Sequence, residues 1–96
     1  MMSKGKRILD ILTNENPDAI IYDEMDDALI GIYRGDLARP EHQKNAIAIY
    51  SYVKFIEIYI KRDGMSEEEA VEFFDYNVAG GYIGELQPIV IDDTGV

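Results

Sequence analysis

The apolar residues of this 96-residue chain change period several times, and each change marks an element. Over residues 3–13, Ile8, Leu9 and Leu12 recur at helical spacing behind Ser3, a residue suited to cap a helix. Asn14-Glu15-Asn16-Pro17 stops that helix, because proline disfavours helical geometry in the residue before it. Gly5 and a basic first turn are poor helix starters, so residues 1–5 are expected to fray. The runs 19–22 and 28–33 are rich in β-branched and aromatic residues, and the polar Asp23-Glu24-Met25-Asp26-Asp27 between them has hairpin length. A β-hairpin is predicted there, followed by a turn at Arg34-Gly35-Asp36 and a new element starting near Pro40.

Residues 44–62 mix strand-forming side chains with a helical period. Lys44, Ser51, Lys54, Glu57 and Lys61 repeat at three, four or seven, which predicts one long helix. Ile49, Tyr52, Val53, Ile56, Tyr59 and Ile60 form its broad apolar face, while Ile47, Tyr50 and Ile58 fall on the polar side. Such an excess fits a central helix covered on both sides, the preferred reading, or a contact between copies of the chain.

Asp63-Gly64 ends that helix, and Ser66 with Glu69 opens the next by a capping box. Three carboxylates in its first turn suit the positive end of the helix dipole. This helix is expected to bury Ala70, Val71, Phe73, Phe74 and Val78, and to turn Glu68, Glu72, Asp75 and Tyr76 outward. Asn77 falls among the apolar positions and is expected to bond backbone in the turn that follows. Gly80-Gly81 closes the helix, and Ile89-Val90-Ile91 reads as a short strand with Pro88 at its start or on an edge. The order α-β-β-α-α-β gives an α+β fold: a small antiparallel sheet, made of the hairpin and the C-terminal strand, covered by three helices. Residues 1–96 make a single domain, with 93–96 as a tail.

Composition narrows the functions. Nineteen acids against nine bases give a net charge of −10, a field that repels phosphate and argues against direct nucleic-acid binding or docking on an anionic membrane. No apolar run approaches the ~20 residues of a membrane span, and no signal-peptide stretch opens the chain, so a cytoplasmic protein is expected. The absence of cysteine excludes disulfides and thiolate chemistry. Charge is unevenly spread: residues 63–96 hold nine acids and no Lys or Arg, so nearly all of the net charge lies in the last third.

Catalytic chemistry is poorly supplied. The single histidine, His42, has nothing in the sequence to bring it to Ser3, Ser51 or Ser66. Started at Asp23, a calcium loop would need glycine and glutamate where Ala28 and Arg34 stand, which leaves Asp23, Asp26 and Asp27 as weak metal candidates. Gly80-Gly81-Tyr82-Ile83-Gly84 follows a helix rather than preceding one, so it cannot cradle phosphate as a glycine-rich loop does. Its Gly81-to-Gly84 spacing matches a KH loop, but acidic flanks would repel a nucleic-acid backbone. No enzyme and no cofactor is expected. Tyr50, Tyr76 and Tyr82 are the tyrosines to look for at a surface.

The segment Met65-Ser66-Glu67-Glu68-Glu69-Ala70-Val71-Glu72-Phe73-Phe74-Asp75-Tyr76-Asn77, with Gly80-Gly81-Tyr82-Ile83-Gly84-Glu85 and Pro88 after it, resembles a family of small uncharacterised bacteriophage, prophage and bacterial proteins. Asp26-Asp27-Ala28-Leu29-Ile30-Gly31 extends the resemblance, which covers residues 18–91; Gly81 departs from it, standing where alanine is more usual. The resemblance implies a viral or mobile-element origin, hence a bacterial host cell, and brings no activity and no functional residue.

These features together predict a small acidic, non-enzymatic accessory protein that binds a host or viral protein with a basic surface. The contact would be Glu68, Glu72, Asp75, Tyr76, Tyr82 and Glu85, and a concrete version is a nucleic-acid mimic that inhibits a nuclease or defence complex. Two alternatives remain open. One is a small-molecule or divalent-metal-binding domain using the 23–27 loop (Asp23, Glu24, Asp26, Asp27). The other is a structural homo-oligomer joined through Ile47, Tyr50 and Ile58.

Overall fold

A computed structural model describes residues 2–79, 81 and 83–96, with the side chains of His42 and Gln43 left outside the description. Three helices and three strands follow in the order α1 (Lys4–Glu15), β1 (Leu29–Gly35), β2 (Gln43–Ser51), α2 (Tyr52–Lys61), α3 (Glu67–Asn77) and β3 (Ile89–Ile91). The expected α+β class and the order α-β-β-α-α-β hold, while two of the segments that supply the elements differ.

The first strand is the predicted second one, and its partner is the first half of the predicted long helix. β1 and β2 run antiparallel, with Leu29 opposite Tyr50 and Ile32 opposite Ala48, and bulges break the register near both ends. The 44–62 segment was split by burial. Ala46, Ile47, Ala48, Tyr50 and Ser51 are all buried because β2 is the central strand, covered on both faces, so the period-two alternation that marks a strand disappears. Lys44 and Ser51 fall in helical register with the true helical stripe of Lys54, Glu57 and Lys61 only by coincidence.

Segment 19–22 forms no strand, although its backbone is still paired. Ile20 N–H donates to the Leu86 carbonyl at 3.1 Å and Tyr22 N–H donates to the Tyr50 hydroxyl at 3.0 Å. The sheet is mixed rather than antiparallel: β3 lies parallel to β2, with Ile49 opposite Ile89 and Ser51 opposite Ile91. A parallel pair cannot be joined by a tight turn, and α2 and α3 supply the crossover.

The core sits between the sheet and α2. Phe55, 1% exposed, packs edge-on against Tyr22, Tyr50, Tyr59 and Phe74 with ring centroids 5.5–5.9 Å apart. α1 adds the fully buried Leu12, and the Asn16 side-chain amide at its end donates to the Ala46 carbonyl at 2.8 Å. Its start packs closely against the 26–28 turn. Gly5 is buried so tightly that a Cβ there would collide with the Asp26 carbonyl, so the glycine is required by close approach. Among the described residues no helix is long and apolar enough to cross a membrane.

Candidate functional site

α3 is built by local rules. The Ser66 hydroxyl accepts from the Glu69 amide at 3.1 Å, and the Glu69 carboxylate accepts from the Ser66 amide at 3.0 Å. These bonds, the backbone one foremost, hold the Glu69 carboxyl below its ordinary value. Ala70 and Phe74 face the core. Phe73 is a correction to the expected buried face: it stands 42% exposed with its ring against Tyr59 at 5.0 Å. Asn77 bonds backward rather than forward, its amide donating to the Phe73 carbonyl one turn earlier.

The outer face of this helix is anionic and uncompensated. Glu68, Glu72 and Asp75 are exposed at i, i+4 and i+7, and none takes part in an ion pair or side-chain hydrogen bond among the described residues. The remaining C-terminal acids divide. Asp63 is bound by Arg62, Asp92 by Thr94 and Asp93 by Ser51, whereas Glu67 and Glu85 form no ion pair or side-chain hydrogen bond among the described residues. Tyr76 projects beside the stripe at 88% exposure. With Met65 and Phe73 it forms the apolar part of a shallow groove of about 450 Å³ whose rim includes Glu69 and Glu72. Glu85 lies in the turn before β3, and among the described residues no bond joins its side chain to α3. Tyr82 lies outside the described residues.

Two of the three residues expected at a contact between copies lie in the core. Tyr50 is 1% and Ile47 is 9% exposed, because both belong to the central strand and not to the outside of a helix. Burial drives the Tyr50 hydroxyl up to about 12. Ile58 is half-buried on α2.

The acidic loop is also reorganised. Among the described residues no three of His, Cys, Asp and Glu come together as metal ligands. Asp26 is instead paired with Lys6 at 3.2 Å, while Asp23 and Asp27 are exposed on separate turns of the chain. Glu24, at φ 58, turns its carbonyl toward Arg62, whose guanidinium donates to it at 2.7 Å. Glu24 and Asp27 thereby border a cleft of about 810 Å³ between the start of α1 and the exposed side of α2. Lys4, Lys54, Lys61 and Arg62 line it too. Sequence reasoning placed Lys54 and Lys61 on a solvated stripe and Lys4 in a frayed end, so it missed the cleft. The available signal was the cluster of Lys4, Lys6 and Arg7 at the positive end of a helix dipole, where cations are disfavoured.

The chain matches no protein-family model, no curated protein and no solved structure. Its own geometry therefore bears the functional reading.

Proposed function

We propose that this chain is a small acidic, non-enzymatic accessory protein of bacteriophage type that works in a bacterial host by binding a host or viral protein with a basic surface. The observation that carries the reading is the outer face of α3, where Glu68, Glu72 and Asp75 stand exposed, free of internal cations, beside the projecting Tyr76. With a rise of about 1.5 Å per residue, the carboxylates step along the helix by about 6 Å and then 4.5 Å. A rigid row of negative charge at that spacing enters a basic groove that otherwise holds nucleic acid, and a nuclease or defence complex presents such a groove. Tyr76 and Phe73 offer flat faces for arginine side chains, which stack on aromatic rings while their charge pairs with carboxylates.

The test is capture of partners from bacterial lysate at low and at high salt, with the native chain and with a Glu68→Gln/Glu72→Gln/Asp75→Asn variant. A specific partner should be held at low salt, released as ionic strength rises, and lost by the variant. A partner whose retention ignores both salt and the substitutions would overturn the reading.

A further inference from the structure

We propose that the cleft between the start of α1 and the exposed side of α2 binds a phosphorylated small molecule of nucleotide size. It is a separate site from the acidic face of α3. Four of the chain's nine Lys and Arg residues line this one cleft against three carboxylates, Glu24, Asp27 and Glu57, so bases outnumber acids in its lining although the molecule is strongly negative and Arg62 is paired with Asp63. Lys4, Lys54 and Lys61 take part in none of the ion pairs formed among the described residues. Glu57 stands between Lys54 and Lys61 on the same helix face and still pairs with neither; the charge of Lys54 reaches Asp93 from the side.

The start of α1 shows the same excess. Its first turn contains Lys4, Lys6 and Arg7 and no acid, at the end of the helix where the dipole is positive. Lys6 is answered by Asp26, whereas among the described residues no ion pair answers Lys4. α3 demonstrates the arrangement that stabilises a helix start, three carboxylates in the first turn. A cation left without an ion pair in a cleft, against the dipole, can be matched by an anion from outside the chain.

The rest of the cleft suits the body of such a ligand. Its floor is apolar where Leu29 and Ile58 reach it. Glu24 and Asp27 can accept hydrogen bonds from hydroxyl or amino groups on the side away from the phosphate. Arg62 clamps the Glu24 carbonyl, and the Gly5–Asp26 approach locks α1 against the loop, so the walls are set before binding. A volume of about 810 Å³ is that of a small-molecule site.

Calorimetry and amide NMR on the full chain, titrated with ADP, ribose phosphate and pyrophosphate, test this. Each phosphate compound should shift the amides of Lys4, Gly5 and Lys61, and the tighter of ADP and ribose phosphate identifies the organic part. A Lys54→Gln/Lys61→Gln variant, altered only at exposed positions, should bind that compound about tenfold or more weakly. Lys44→Gln, on β2 and outside the cleft lining, should change affinity by no more than about twofold. Three results would overturn the proposal: no binding at millimolar ligand, shifts mapping elsewhere, or an equal loss in Lys44→Gln. Pyrophosphate binding as tightly as both organic phosphates would also overturn it, since the apolar floor would then contribute nothing.

Discussion

The helices α2 and α3 both begin at a serine that accepts from the amide three residues on, yet the two starts are held by different means. Everything that caps α3 lies within four consecutive residues, Ser66 to Glu69, exposed to water. The start of α2 is buried. Ser51 is 0% exposed; its hydroxyl accepts from the Lys54 amide at 3.0 Å and donates to Asp93 at 2.5 Å. The other Asp93 oxygen accepts from the Val53 amide at 3.0 Å. One helix start is thus capped by its own sequence, the other by a carboxylate from the C-terminal tail. The lesson is that the strand-to-helix switch at residue 51 is capped by Asp93, a residue that the sequence places in a tail.

Substitutions can break or sharpen that contrast. The largest effect is expected at the buried start: Ser51→Ala removes a cap and leaves Asp93 and the Lys54 amide without their partner, a loss of about 2 kcal/mol in urea unfolding. Asp93→Asn should cost about 1–2 kcal/mol, and the double variant should lose less than the sum, because the two residues share one network. Ser66→Ala should cost about 1 kcal/mol and add independently to either. An additive Ser51–Asp93 pair, or a larger loss at Ser66 than at Ser51, would abolish the distinction.

The smallest effect is acid dependence. The Ser51 hydroxyl, first among its partners, holds Asp93 below its ordinary 3.8, and the Ser66 amide holds Glu69 below 4.5. A carboxyl whose folded pKa is depressed contributes stability above its unfolded value and loses it as pH falls through the folded one. Urea midpoints should therefore be level down to about pH 5 and then decline. Asp93→Asn should flatten part of that decline without moving its onset upward.

Most of what was legible was local. The Ser66 box, the outward stripe of Glu68, Glu72 and Asp75, and the exposed Tyr76 could all be read from spacing, because a helix on the surface keeps its period. The central strand could not. Burial on both faces removes the alternation from Ala46–Ser51, and its tyrosine and isoleucines then fit a helical projection equally well. The cleft was illegible for another reason: Lys4, Asp27 and Lys61 are far apart in sequence, and only the packing of α1 against the 26–28 turn sets them around one space.

Composition and short-range pattern by themselves determined the class of the protein, its acidic last third and the make-up of α3, since charge, capping and helical period act between residues a few positions apart. Tertiary structure alone decided which apolar run became the central strand, that Tyr50 and Ile47 are core, that Asp93 is a cap, and that a few lysines frame a cleft. Each of those outcomes turns on pairing or desolvation between distant segments, which no window of neighbouring residues contains.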